Sequence, residues 1–399
     1  AGGRASAARG VVDFASGRAA AVEDKYPFGS VTKMLTGASI MRLAATGAIS
    51  LDDRVAPLVD PLLAEMADAD PSQGFRSLAD LFGGENVSGT TVRQLLSMQS
   101  GVPDFDTATP CFPGMPGCVP KDPLRQSVYD LPSKAYSPSM LMGVPWVAHQ
   151  WRGPCKKSFI PGMKPFCYSS TNFMLLGMIL AASEKAGSWQ RYDQSIVLPE
   201  YLKEAIDFAT SGSPKTYTSV HGYDRTSYNV PKGEQNDHDN WEVSGVFSGW
   251  TASDIVATPA TVADLTWEIY GPGYSVAPEP FIQQMIPGAR DIYGLASFNL
   301  NSDSGQQGKY GQAYGHLGAT YGYQSVTVYF PALQISLAVA TNIERDFQEQ
   351  PAYATCFAYN AAAGMLLNKT VRCVYKTGTY YSGGCKCDPL EEEDATVVV

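Results

Sequence analysis

The stretch PFGSVTKMLTGASIMRLAATG, residues 27–47, decides how this chain is read. Pro27, Phe28 and Gly29 make a sharp entry, and the pattern after them predicts a helix over 30–45. Nearly every position there is apolar or small, Met34, Leu35, Ala38, Met41 and Leu43 among them. A helix apolar on nearly every face is a buried helix. Gly47 stands where a C′ glycine belongs. The helix opens with Ser30-Val31-Thr32-Lys33, the only Ser-x-x-Lys in the chain. Residues i and i+3 share a helix face, so the hydroxyl lies beside the amine. The helix N-terminus favours an anion developing on that hydroxyl. Burial drives a lysine toward its neutral form, in which it accepts the serine proton. On a surface helix the same four residues would be a cap and a solvated amine. The apolar setting speaks against that, because an unpaired lysine inside it is costly.

Working outward, residues 10–15 alternate like a strand and Gly17 marks a turn. Short helices are predicted over 51–100, including 91–98. Residues 101–167 are rich in Pro, Gly and Cys and read as a disulfide-pinned surface excursion. A second strongly apolar helix is predicted over 171–186, ending at Gly187. Residues 211–250 read as polar and aromatic loops, which either line a cleft or pack the insertion. A further helix is predicted over 258–270. Strands follow at 293–300, 320–330 and 335–341, with Pro331 separating the last two, and a closing helix at 352–367. Helices in the middle and strands at both ends imply a mixed α+β fold. Its sheet is expected from residues 1–55 plus 285–367, with an inserted helical domain over 56–284 and a Cys-rich acidic tail over 368–399.

The chain has 399 residues, 44% hydrophobic and 17% charged, with a net charge of −10, so a large core is affordable in composition. The acidic balance and the lack of a Lys/Arg cluster argue against nucleic acid and against an anionic membrane surface. No run reaches the ~20 apolar residues that span a bilayer. Eight cysteines, an even number in clusters, favour disulfides in a secreted protein. Spacing pairs Cys111 with Cys118 and Cys155 with Cys167, and leaves Cys356, Cys373, Cys385 and Cys387 to pair among themselves. A metal site at Cys373, Cys385 and Cys387 is set aside, since ligand pairs sit about two to four residues apart. The sequons at Asn86 and Asn368 agree with secretion and glycosylation.

Six segments in order now resemble one family, the serine β-lactamase and penicillin-binding-protein superfamily, in its class C-like branch of esterases, D-stereospecific peptidases and eukaryotic secreted proteins. Phe28 to Lys33 looks like the nucleophile motif, and LAATGAISLDD (43–53) like the segment after it. TVRQLLSMQSGVPD (91–104) resembles the family's Leu-Leu…Ser-Gly-Val-Pro stretch. Tyr168-Ser169-Ser170 resembles the second motif, usually Tyr-x-Asn, and residues 258–265 its Thr-x(3)-Asp-Leu helix. Tyr293-Gly294-Leu295 and Gly315-His316-Leu317-Gly318 resemble the third motif. The resemblance implies a mostly antiparallel sheet flanked by helices, with Ser30 as nucleophile, Lys33 its proton partner and Tyr168 the relay to the leaving group. It implies an oxyanion hole from the amides of Ser30 and Ala319, beside Gly318, and substrate contacts at Ser170 and His316.

Two departures bear on activity. Ser170 replaces the usual Asn, so a hydroxyl stands where an amide orients Lys33. His316 replaces lysine, and a histidine titrating near neutrality loses any hold on an anion as pH rises. Both weaken the case for β-lactam hydrolysis and leave a Ser–Lys–Tyr acyl-transfer set that needs no metal or cofactor. Lys376-Thr377-Gly378 spells the commoner third motif but lies in the tail, outside any strand context. His149, His221 and His238 lack paired ligand spacing and read as structural. The expected activity is that of a serine hydrolase on a small ester, amide or peptide; the alternative is an extracellular protein that works through assembly. The short run before residue 10 leaves a sheet edge to be filled by a processed N-terminal peptide, a disulfide-linked partner or a neighbouring subunit.

Overall fold

The computed structural model describes residues 3–106, 122–156, 158, 162–227, 237–300, 312–346, 349–368, 371–374 and 386–389. The chain opens with the short strands β1 (Val11–Asp13), β2 (Arg18–Ala19) and β3 (Tyr26–Pro27). The helices that bear on the site are α1 (Thr32–Ala45), α2 (Val55–Ala69), α3 (Val92–Leu96), α4 (Pro123–Asp130), α5 (Thr171–Ser183), α6 (Pro259–Tyr270) and α7 (Glu349–Leu367). The later strands are β4 (Tyr223–Asp224), β5 (Ile255–Ala257), β6 (Phe298–Asn299), β7 (Tyr314–Thr320), β8 (Tyr323–Phe330), β9 (Ile335–Thr341) and β10 (Ile343–Glu344).

The two helices without a polar face are the two most deeply buried. In α1 every residue from Thr32 to Met41 is buried, and in α5 every residue from Thr171 to Ala181. They pack on each other, and α2 covers α5. Helix starts follow the local chemistry: Thr91 and Gln94 form a capping box at α3, and Thr258 caps α6 ahead of Pro259.

The main sheet is antiparallel in the order β9-β8-β7-β6, with α6 and α7 against β9. This is the expected α+β architecture. The strand predicted over 320–330 is divided by a turn at Tyr321-Gly322, where Gly322 takes φ +95°, and residues 314–320 form the preceding strand. Of the strand predicted over 293–300, only Phe298–Asn299 pairs in the ladder, with Tyr293 bridging to Phe298.

The N-terminal strands stay out of this sheet. β1 and β2 pair with each other, and β3 pairs with β5, which also carries Asp207–Phe208. A three-residue strand with a register break is too short to run along β9. Among the described residues β9 therefore pairs on one side, and its sequence ISLAVAT holds no charge, proline or bulge to blunt the edge.

The excursion over 101–167 is less irregular than expected, because Asp122 caps α4 and Pro123 occupies its first position. Cys155 and Cys167 form the expected disulfide. Cys111, Cys118 and Cys385 lie outside the described residues. Cys356 is disulfide-bonded and buried. Strand pairing of residues 371–374 with 386–389 sets Cys373 opposite Cys387. Asn368 is exposed just past α7, while the side chain of Asn86 falls outside the description. No helix among the described residues is long and apolar enough to cross a membrane.

Candidate active site

Ser30 sits in a tight 3-10 turn, Gly29–Val31, one turn ahead of α1 rather than inside it. Gly29 takes φ +55°, and a Cβ there would lie 2.7 Å from the Ala319 carbonyl oxygen of β7. Glycine is thus needed twice over, for the left-handed backbone and for the approach of the strand. A Cβ on Gly318 would likewise run into the Phe28 carbonyl. Ser325 Oγ donates to that carbonyl at 2.8 Å from β8. Thr32 Oγ1 donates to the Gly29 carbonyl at 2.9 Å and accepts the Ile255 N–H of β5 at 3.0 Å. The turn is therefore clamped between two sheets, with Gly29 against the backbone of Ala319.

Lys33 is fully buried one turn along. Its Nζ donates to Ser30 Oγ at 2.8 Å and to the Ala252 carbonyl at 3.0 Å. That carbonyl belongs to a short turn, Trp250–Ala252, held on α1 by Thr36 Oγ1 donating to Thr251 O at 2.7 Å and on α5 by Thr251 Oγ1 donating to Phe173 O at 2.9 Å. Trp250 takes φ +43°, a strained value for a bulky side chain. Burial brings Lys33 down to about 7, with the carboxylates of Asp104 and Asp106 pushing it back up.

Tyr168 reaches the same hydroxyl from the turn before α5, donating to Ser30 Oγ at 2.8 Å. Its position is fixed from its neighbour: Cys167 is tied to Cys155, and its N–H donates to Met98 O at 2.9 Å. Phe298 stacks against the ring at 6.1 Å. Burial raises Tyr168 well above the usual phenol range, the hydrogen bond to Ser30 partly offsetting it. It is therefore a neutral donor near pH 7. Ser30, Tyr168 and Ala319 are partly exposed while Lys33 is not, so the hydroxyl stands at a mouth with the amine beneath it.

Ser170 is buried two residues past Tyr168. Its N–H donates to Asp104 Oδ1 at 3.0 Å. Asp104, which ends the Ser-Gly-Val-Pro stretch, is not among the residues that the sequence pointed to. Its only local signal is an acid in an irregular segment, which usually means a solvated loop. Burial first and Asp106 second raise its carboxyl well above the ordinary range, opposed by Lys33. Asp106 accepts the Tyr321 hydroxyl at 2.9 Å.

The sequence profile of the β-lactamase family matches residues 2–358. The chain belongs to the β-lactamase family. Curated proteins give no match. Solved structures give the same fold. The D-stereospecific amidohydrolase from Streptomyces sp. is 21% identical, with 81% of this chain and 83% of that one covered at a TM-score of 0.56. The D-amino acid amidase from Ochrobactrum anthropi SV3, complexed with L-phenylalanine, is 15% identical, covering 90% and 88% at 0.58. The octameric penicillin-binding protein homologue from Pyrococcus abyssi is 19% identical, covering 90% and 70% at 0.59.

Within this β-lactamase-family site, the expectation of a titrating His316 needs correction. The residue lies on β7 and is wholly buried against Tyr293 and Phe298. Burial, then the neighbouring Lys33, hold it well below the usual histidine range. Leu317 O only accepts, so Nδ1–H donates to it at 2.6 Å and Nε2 accepts the Tyr293 hydroxyl at 2.8 Å. A neutral imidazole with both nitrogens used does not gain or lose charge near neutrality. His221 pairs with Asp239 and His238 stacks on Tyr129. His149 is exposed, and Lys376-Thr377-Gly378 lies outside the described residues.

Proposed function

We propose that this chain is a secreted serine hydrolase that acts through an acyl-enzyme on an ester or amide carbonyl. Ser30 attacks, Lys33 in its neutral form takes the proton, and Tyr168 passes it to the leaving group. The amides of Ser30 and Ala319 stabilise the oxyanion, with Gly318 giving β7 its close approach. Water, activated by the same pair, then releases the acid. One observation carries this reading: Ser30 Oγ lies 2.8 Å from both Lys33 Nζ and the Tyr168 hydroxyl. The disulfide supports an oxidising compartment. Ser170 and a neutral His316 at the third motif favour esters or D-amino-acid amides and peptides over β-lactams. A fluorophosphonate probe tests the proposal. Labelling of wild type at Ser30 and none of Ser30→Ala is expected; an unlabelled wild type across several chemotypes overturns it. A panel of esters, D-amino-acid amides and β-lactams then ranks substrates.

A second reading, assembly without catalysis, draws on the apolar open edge of β9. A large ordered particle on a sizing column with no probe reactivity would favour it, and a labelled monomer would exclude it.

A further inference from the structure

Met98 lies two residues past α3, wholly buried, with φ +57°. That is the left-handed region, which a long side chain occupies only where its surroundings hold it. Its carbonyl accepts the Cys167 N–H at 2.9 Å. Its thioether Sδ accepts two further bonds, from the Ser169 N–H at 3.4 Å and from Asn172 Nδ2 at 3.3 Å. The N–H groups of both residues that flank Tyr168 therefore end on one methionine.

The side chain of Asn172, in the first turn of α5, is set to serve the sulfur. Its Nδ2 also donates to the Ser169 carbonyl at 2.9 Å, and its Oδ1 accepts the Ser100 hydroxyl at 2.5 Å. A carbonyl only accepts, so the donor end of the amide faces Ser169 and Met98. A methionine in a core is ordinarily a gap-filler, and its sulfur a weak acceptor. Ser169 is buried, however, and a buried backbone N–H needs an acceptor. Here the thioether supplies it.

We infer that Met98 is the positioning residue of Tyr168: its carbonyl and its thioether hold the two flanking peptide groups and so aim the phenol at Ser30 Oγ. The inference rests on the proposed role of Tyr168 as relay to the leaving group. Met98 touches no reacting atom and works through the tyrosine. An apolar side chain of the same size keeps the bond to Cys167 and loses the bonds to Ser169 and Asn172. The Ser169 N–H then turns toward another acceptor, rotating the Tyr168–Ser169 peptide and drawing the hydroxyl off its 2.8 Å contact with Ser30.

The test uses the full chain and two alkyl phosphonate esters that differ only in the leaving group, 4-nitrophenol or phenol. With either probe, Ser30 Oγ bonds to phosphorus, the bond from phosphorus to the aryl oxygen breaks, and the serine proton ends on the departing phenol. The 4-nitrophenoxide is a weak base and leaves with little help from a proton, whereas phenoxide needs one in the transition state. A displaced Tyr168 thus changes the ratio of the two labelling rates, which a general loosening of the fold does not. Met98→Leu should slow the phenyl probe about tenfold more than the 4-nitrophenyl probe. Met98→Gln, which restores an acceptor on a side chain of similar length, should return the ratio toward wild type. In a Tyr168→Phe background, Met98→Leu should leave the ratio where it was. Equal slowing of both probes by Met98→Leu, or a Met98→Gln ratio as altered as that of Met98→Leu, overturns the inference and leaves the hydrolase reading intact, since Ser30 is still labelled. Wild type labelled by neither probe strikes the hydrolase reading, and the inference with it. If Met98→Leu does not fold, Met98→Ala, also without an acceptor, is read the same way.

Discussion

Two of the buried charge clusters among the described residues are built on opposite principles. Around Arg125, on α4, three carboxyls close in. Glu344 of β10 takes two bonds, at 2.8 and 2.9 Å, and Asp122 one at 3.0 Å. Asp224 of β4 accepts both Arg125 and the Tyr129 hydroxyl. Backbone amides fill much of what remains: Arg125 N–H on Asp122, Thr226 N–H on Asp224 and Gly322 N–H on Glu344. The Tyr321 ring lies 4.8 Å from the guanidinium. Every member has fixed partners, and the cluster joins the excursion to the strands at residues 223 and 344. Around Ser30 the reverse holds. Lys33 is buried with a hydroxyl and one carbonyl as partners and with its countercharge on a neighbouring loop. Where compensation is complete, burial gives rigidity; where it is partial, protons can move.

Substitutions at the two clusters should therefore separate activity from stability. Lys33→Met should slow probe labelling by roughly 10³-fold or more. The same change should leave urea unfolding free energy equal or higher, because an apolar side chain replaces a buried amine. A large loss of stability in that variant would place both clusters in one class. Arg125→Leu should do the opposite. Leaving buried carboxyls without their cation costs about 3–5 kcal/mol of urea unfolding free energy, with labelling per folded molecule nearly unchanged. Removing the Cys155–Cys167 bridge with paired serines should cost about 2–4 kcal/mol and slow labelling as well, since Tyr168 follows Cys167 directly.

The pH dependence of stability sharpens the contrast. Lys33 holds a proton in the unfolded chain up to ~10.4, but in the fold only up to about 7. Across that window the unfolded chain binds more protons, so this group makes stability rise with pH. Asp104, raised in the fold, does the reverse, and stability falls as pH climbs from the ordinary carboxylate range toward neutrality. Wild type minus Lys33→Met, followed by urea unfolding, should thus show a positive slope above neutral pH; a flat difference would mean that the amine titrates normally. The smallest effect belongs to His316→Gln. Because the imidazole is already neutral, the acid limb of labelling should stay in place, and a moved limb would return His316 to the titrating set.

The parts of this molecule that were legible in advance share one property, which is that they depend on near neighbours in sequence. Ser30 and Lys33 meet across one turn, α1 and α5 announce burial by lacking a polar face, and the helices expected from 91 and from 258 begin there. Tyr168 was legible through resemblance alone, since nothing in spacing ties it to a hydroxyl 138 positions away. His316 lies on a strand that precedes the one expected over 320–330, and its charge behaviour was not legible, because burial is a property of the packed fold.

The amino-acid sequence by itself determined the family, the α+β architecture and the serine–lysine pair, since periodicity and one-turn contacts are local. Only the tertiary structure decided that Asp104 stands beside Ser170, 66 positions along, that Arg125 gathers partners at residues 122, 224 and 344, and that β1 pairs with β2 and not with β9. Those are matters of which distant segments exclude water together, and the dielectric they create sets the charge of every group inside.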